Sequence, residues 1–314
     1  MYLSKIKVAY MGTPEFAAEV LEELLSYEWL VIEAVITQPD RKVGRKRLLT
    51  ASAVKEVALS KGLLILQPDK INDIFEDLKA LGLEAIITCA YGQYIPNSIL
   101  NMTPLGVINV HASLLPKYRG GAPMQHALIQ GETVTGISLM RSAKIMDGGP
   151  VFSQYEVEIE AQDTLASLEN KLIDAAKQHL QRDLKKILES EILAQPQDES
   201  LVSYAPIISR ADEKIDFSKS AKQIYDHIRA LNPIPLAYTK IDDKIVKFKT
   251  SIYQLNNHNY PVATIVSFDV SGLKIAVNGG FILVTELQVE GKQLNLARNI
   301  YNGYQDWIGK RCHD

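Results

Sequence analysis

Ile6-Lys7-Val8-Ala9-Tyr10-Met11, then Gly12-Thr13-Pro14, then Glu15 to Leu25: this opening stretch decides the fold. The first six residues read as a strand and the next three as a tight turn. From Glu15 the pattern changes to helical spacing, which places Phe16, Val20, Leu21, Leu24 and Leu25 on one side. The same alternation repeats outward. Val31 to Thr37 is the next strand and Ala53 to Lys61 the next helix, while Glu84 to Ala90 and Gly106 to Val110 are short apolar runs bounded by turn residues, as buried parallel strands are. Repeated β-α alternation predicts an α/β domain with an open, mostly parallel sheet and helices on both faces. The first turn offers one glycine where a dinucleotide fingerprint has three. NAD binding is therefore rejected, and Gly12 is expected to serve the strand-to-helix turn.

Beyond these units lies a helical stretch from about Thr164 to Ser190, then the polar run Gln195-Pro196-Gln197-Asp198-Glu199-Ser200, the best connector in the chain. One amphipathic helix follows, Ser220 to Leu231, ended by Asn232-Pro233-Ile234-Pro235. After it come short strand-like pieces: Ile245 to Phe248, Ala263 to Phe268, Leu273 to Val277 and Phe281 to Leu287. Short strands with turns between them predict a small β-barrel. The expected boundaries are a domain over 1–194, a linker over 195–206 and a barrel over 207–314.

Of the 314 residues, 46% are hydrophobic and 23% charged, and the formal net charge is −3, as in an ordinary globular protein with a sizeable core. The charge is unevenly placed. Residues 207–314 hold 14 Lys and Arg against 11 Asp and Glu, a surplus of three, so the remainder is negative by six. A mildly basic barrel suits a nucleic-acid appendage, or an oligomer or lid domain. The two cysteines, Cys89 and Cys312, form no CxxC pair, so no metal or redox motif is expected. With no secretory signal pattern at Met1 and no apolar run long enough to span a membrane, the expected compartment is the cytoplasm.

The densest cluster of unusual residues is Asn109-Val110-His111-Ala112-Ser113-Leu114-Leu115-Pro116-Lys117-Tyr118-Arg119-Gly120-Gly121-Ala122-Pro123, followed later by Asp147-Gly148-Gly149-Pro150. Asn109 and His111 stand two apart at the carboxyl end of a strand, so they project from one face, where open sheets gather their reactive groups. Asp147, on a glycine-flanked loop, can swing close to them. An amide, an imidazole and a carboxylate without a nucleophilic serine or cysteine suit acyl transfer by direct attack of an amine. The tetrahedral intermediate carries an oxyanion that Asn109 and a protonated His111 can stabilise, with Asp147 orienting the imidazole and helping to remove the amine proton. The same Asn-x-His pair occurs at strand ends for structural reasons alone. A hydrolase centred on Ser113 lacks the G-x-S-x-G elbow.

The run from Asn109 to Pro123, with Asp147, resembles the signature of the folate-dependent formyltransferases. Further matching pieces span nearly the whole chain: Gly12 to Ala17, Thr37 to Arg41, Ala90-Tyr91-Gly92, Gln197-Asp198-Glu199, Ile215-Asp216-Phe217, Arg229 to Pro235 and Gly291-Lys292. They are similar to the branch of that superfamily whose acceptor is methionyl initiator tRNA. The resemblance implies a Rossmann-like domain followed by an OB-like barrel. It also implies Asn109, His111 and Asp147 as the catalytic trio, 10-formyltetrahydrofolate as donor, and no metal. Ser113, Leu114, Leu115 and Pro116 would help to line the folate site, with Tyr91, Gly92 and Ile95 adding wall to it. The expected enzyme is a monomer. Two departures are present: Ala112 stands where glycine is common, and Gly148-Gly149-Pro150 replaces the usual small residue, glycine and polar residue, which bears on the shape of the loop holding Asp147.

Arg41-Lys42-Val43-Gly44-Arg45-Lys46-Arg47 puts five cations into seven positions, just after a strand end. As a charge run it is either a solvated loop or, at the edge that carries Asn109 and His111, a grip for acceptor-stem phosphates. The resemblance implies the second for Arg41, Lys42, Arg45, Lys46 and Arg47. A formyltransferase with a small acceptor, an acceptor-less formyl-folate hydrolase and a non-catalytic RNA-binding protein are the competing readings.

Overall fold

A computed structural model describes residues 5–43 and 47–313. They form two compact units. The first takes residues 5–123, 134–158 and 169–206, and the second takes 124–133, 159–168 and 207–313.

The first unit opens with β1 (Ile6–Gly12) and α1 (Glu15–Leu25), as its sequence pattern requires. Then come β2 (Leu30–Ile36), the short β3 (Arg41–Val43) and β4 (Leu48–Thr50), α2 (Ala53–Ser60), β5 (Ile65–Leu66), α3 (Phe75–Ala80), β6 (Ala85–Cys89), α4 (Asn97–Leu100) and β7 (Val107–His111). After α5 (Pro123–Ile129), which apart from Pro123 falls in the second unit, the sheet finishes with β8 (Val134–Arg141) and β9 (Val151–Glu158), and α6 (Leu165–Leu188) follows, belonging to the first unit from Glu169 on. The seven strands lie in the order β5-β2-β1-β6-β7-β8-β9. The first five run parallel, and β8 and β9 are antiparallel. That antiparallel edge is an addition to the expected sheet. The buried centre is apolar on both faces, with Val8, Ala9, Tyr10, Met11, Ile86 and Ile87 inaccessible to water.

Gly12 does not have the role expected of it. Its φ is not left-handed; instead an added Cβ would lie 2.8 Å from that of Ala17 and 3.0 Å from the Cys89 carbonyl. Close packing of α1 on the sheet, not turn conformation, excludes a side chain there.

In the second unit α7 (Ala221–Ala230) is capped by Ser220, whose hydroxyl accepts from the Gln223 amide while the Gln223 side chain returns the bond. Its Ala221, Ile224 and Ile228 join a core with Phe248, Ile265, Phe268, Ile282 and Trp307. The strands are β10 (Ala237–Ile241), β11 (Lys244–Leu255), β12 (Ile265–Asp269), β13 (Gly272–Val277), β14 (Gly280–Val289) and β15 (Leu294–Leu296), with the short α8 (Ala297–Ile300) after them. They are antiparallel, in the order β10-β11-β14-β13-β12, with β15 on β14. The last residues close the sheet on itself. His313 exchanges both main-chain bonds with Lys240 beside one edge strand, and Cys312 and Lys310 bond to Ala263 and Ile265 at the other. This is the expected small barrel. β11 runs well past Phe248, where it was expected to end, because register shifts at Thr250 disrupt the alternation that marks a strand.

Arg229 explains why residues 159–168 belong to this unit. Its buried guanidinium pairs with Asp226 at 2.8 Å and donates to the main-chain carbonyl of Asp163 at 2.9 Å.

Within the first unit α6 is fastened to β9 by a buried polar group. His179 is wholly inaccessible; its Nε2 lies 2.8 Å from Ser153 Oγ and 3.2 Å from Asp183 Oδ2. Burial lowers its pKa from 6.5 to about 4, with the Asp183 carboxylate opposing the shift and Arg182 adding to it. The folded ring is neutral near pH 7, so the unfolded state binds an extra proton between pH 6.5 and about 4. Stability should fall as pH drops through that window and level off below it. Urea melts of wild type and His179→Gln from pH 7.5 to 4 should diverge there, the variant losing less; parallel curves would refute the assignment.

Candidate active site

β7 lies between β6 on one side and β8 on the other, with Asn109 opposite Thr88 and Met140, and His111 opposite Ser138. Ile108 and Val110 point into the core, which leaves Asn109 and His111 on the opposite face at the carboxyl end of the strand. Asp147 comes from the loop between β8 and β9 and does meet them. Its Oδ1 lies 3.5 Å from Asn109 Nδ2 and 3.8 Å from His111 Nδ1. The other carboxyl oxygen accepts from the Gly120 main-chain N–H at 2.8 Å. Asp147 holds a left-handed φ of 51°, a region uncommon for L-residues that Asp tolerates better than most.

The His111 ring is oriented from behind. Its Nε2 lies 3.1 Å from the Tyr118 carbonyl, which can only accept, so Nε2 carries a proton. Nδ1 is the nitrogen that faces Asp147.

The turn after His111 is tightly tied. Ser113 is fully buried and its hydroxyl donates to the Lys117 carbonyl at 2.7 Å. That bond occupies the only proton Ser113 has and argues against a serine nucleophile. Ser138 Oγ donates to the Ser113 carbonyl at 2.7 Å and accepts from the Leu115 N–H at 3.1 Å, and Gln154 donates to the Leu115 carbonyl at 2.8 Å. Leu115 is buried, while Leu114 and Pro116 are half-buried.

Tyr91, Gly92 and Ile95 follow β6. The Tyr91 ring is buried in the core with Met11, Ile71, Leu78 and Ile86, and Ile95 packs on the same cluster. Burial raises the Tyr91 pKa to about 12, and its hydroxyl has no hydrogen-bond partner among the described residues. The ring is therefore part of the core. What Tyr91 offers at the rim is its carbonyl, which accepts from Thr13 Oγ1 at 2.8 Å and Gln38 Nε2 at 3.3 Å. Gln38 in turn accepts from Arg41 at 2.7 Å.

Of the cationic run, Arg41 and Lys42 lie on β3 and Arg47 leads into β4, all three exposed. The two strands form a hairpin whose Leu48 and Leu49 are 64% and 68% exposed. Arg45 and Lys46 lie outside the described residues. A cleft lined by Leu105, Ile108, Arg141, Phe152, Ile187 and Ile192 contains none of the site residues.

The residues expected to form a connector do something else. Arg119 is only 2% exposed. Its Nε and Nη2 donate to Gln197 Oε1 at 3.0 and 2.8 Å, and its Nη1 and Nη2 donate to the Glu199 carboxylate at 3.2 and 2.8 Å. Gln197 Nε2 donates to the carbonyls of Asp147 at 2.7 Å and Gly149 at 2.6 Å. Residues 195–206 thus belong to the first unit and brace the loop of Asp147. In the sequence Gln197 and Glu199 look like part of a connector and Arg119 like one residue of the signature run; the signal that could have joined them is the arginine in a glycine-rich run, a buried charge in want of partners.

Two family models match the chain: "Formyl transferase" over residues 4–184 and "Formyl transferase, C-terminal domain" over residues 207–305. The chain belongs to the formyl transferase family and is an enzyme of it. Among its relatives is the methionyl-tRNA formyltransferase of Malacoplasma penetrans, 43% identical over 95% of this chain and 93% of the relative. That of Staphylococcus aureus is 39% identical over 97% and 99%. The crystal structure of an N-formyltransferase from Helicobacter canadensis, in complex with folinic acid and dTDP-3-aminofucose, superposes with a TM-score of 0.67. It covers 89% of this chain and 98% of its own at 20% identity, a likeness of fold.

Gly120 has a φ of 130°, and an added Cβ would lie 2.5 Å from the Ala205 carbonyl oxygen. Gly120→Ala should therefore lower the melting temperature and cut turnover, because the peptide that holds Asp147 Oδ2 must move. Calorimetry and initial rates check this; a wild-type melt with wild-type turnover would show that the site tolerates the shift.

Proposed function

We propose that this enzyme transfers a formyl group from 10-formyltetrahydrofolate to the amino group of methionyl initiator tRNA, with Asn109, His111 and Asp147 as its catalytic residues. One observation carries the reading: an amide and an imidazole nitrogen approach one carboxylate oxygen at the rim of the sheet, within 3.5 and 3.8 Å. Full-length similarity to methionyl-tRNA formyltransferases supports the choice of acceptor.

The amine nitrogen attacks the formyl carbon, and the carbonyl electrons move to oxygen. Asn109 Nδ2–H and the Nδ1–H of protonated His111 donate to that oxyanion. His111 is suited to this because Nε2–H is already committed to the Tyr118 carbonyl, so the proton that protonation adds resides on Nδ1, facing the site. Asp147 stabilises the imidazolium and accepts the proton lost by the amine, directly or through water. When the intermediate collapses, the bond to the folate nitrogen breaks, that nitrogen takes a proton, and the formylated amine remains. Each oxyanion donor is worth about 3 kcal/mol, and holding both substrates in line supplies much of the rest. The turn Ser113-Leu114-Leu115-Pro116 and the main chain at Tyr91-Gly92, with Ile95 behind it, would line the folate site. Arg41, Lys42, Arg45, Lys46 and Arg47 would grip the acceptor stem, and the barrel from residue 207 would add further tRNA contacts.

The test is to incubate the protein with 10-formyltetrahydrofolate and, in separate reactions, methionyl initiator tRNA, small amine acceptors or water alone, and to trace the formyl group. It should reach the methionyl amine only. Delivery to a small amine or to water would overturn the acceptor. His111→Ala and Asp147→Asn should each slow turnover by about 100-fold or more, with tRNA binding retained; near-normal rates would end the mechanism.

Replacing Arg41, Arg45 and Arg47 together by Ala should weaken tRNA binding and flatten its salt dependence by roughly one unit of slope per lost phosphate contact. A salt titration indistinguishable from wild type would dismiss the grip.

A further inference from the structure

We propose that Gln197, clamped by Arg119, is a positioning residue that fixes the carboxylate of Asp147 for catalysis. The proposal rests on the catalytic reading of Asp147 given above.

The Gln197 amide is saturated. Its oxygen accepts from Arg119 Nε at 3.0 Å and Nη2 at 2.8 Å, and its nitrogen donates to the carbonyls of Asp147 at 2.7 Å and Gly149 at 2.6 Å. Two acceptor sites and two donor hydrogens are all that an amide has, so its orientation is determined. Arg119 cannot yield, because its buried guanidinium is also paired with Glu199 and its main chain is bonded to Ser203 at 2.9 Å and Ala205 at 2.7 Å. The next peptide, Gly120 N–H, takes Asp147 Oδ2 at 2.8 Å. Residues 119 and 120 therefore grip Asp147 twice, once through Gln197 at its carbonyl and once directly at its carboxylate. The grip holds the left-handed φ of 51° and leaves only Oδ1 turned toward Asn109 and His111.

No other neutral side chain of this length has both an acceptor for arginine and two donors for carbonyls. In Gln197→Glu the shape stays, but a carboxylate oxygen faces the carbonyls of Asp147 and Gly149. Repulsion would displace the loop without altering any group that reaches substrate.

Steady-state kinetics, single-turnover rates and thermal melts of Gln197→Glu, Gln197→Met, Asp147→Asn and Gln197→Glu/Asp147→Asn test this. Each Gln197 variant should lower kcat by about 100-fold while KM for both substrates stays within about threefold, because the catalytic group is misplaced and the binding surfaces are kept. In the Asp147→Asn background the same change should cost less than about threefold, since its only route to the reaction is already gone. An equal loss in both backgrounds, a kcat close to wild type, or a loss that tracks the unfolded fraction in both Gln197 variants would overturn the proposal. Asp147→Asn with a wild-type rate would instead sink the catalytic reading itself, so the two failures are separable.

Discussion

A guanidinium shut away from water must be satisfied by protein, and in this chain that constraint organises the site. Arg119 is nearly inaccessible. Leaving such a charge unpaired costs several kcal/mol, so the fold brings a second strip of chain, residues 197–205, alongside it. Gln197 and Glu199 satisfy the side chain, and Ser203 and Ala205 satisfy the main chain. Because Gln197 has its amide nitrogen left over, solving the arginine's problem also fixes the loop of Asp147. The pairing is a poor source of stability, but it holds one geometry.

The sheet supplies the complementary half. Parallel strands end together at one rim, and the residues on the open face of β7 arrive there whatever the loops do. Asn109 and His111 are thereby placed by backbone periodicity, the firmest positioning device a fold has. His111 is then turned by the Tyr118 carbonyl, which selects the nitrogen that looks outward. Asp147 arrives by the opposite means, on a loop held by hydrogen bonds from elsewhere. A rigid pair and a braced third member suit a reaction whose charge develops at one oxygen, since donors fixed in advance need no reorganisation.

The second unit shows the same economy. Its barrel is closed by residues 309–313, which bond to Lys240 of one edge strand and to Ile265 of the other. Arg229 draws in residues 159–168 by their carbonyls, which is why the compact units cut across the order of the chain.

The sequence by itself determined the alternation of strands and helices, the barrel that follows, the strand-end placement of Asn109 and His111, and the cationic run at Arg41. All of these depend on local periodicity or on residue spacing of two, which backbone geometry converts directly into position. Only the tertiary structure decided the rest. The antiparallel β8 and β9, the burial of the Tyr91 ring and the packing role of Gly12 depend on what the fold lays against them, and the clasp of Arg119, Gln197 and Glu199 joins residues distant in sequence. Gln197 lies in a polar run that looks like any connector, and nothing local distinguishes it. A hydrogen-bond partner some fifty or eighty positions away leaves no period in the sequence, because the constraint it satisfies, a buried charge and an awkward φ, exists only once the chain has folded.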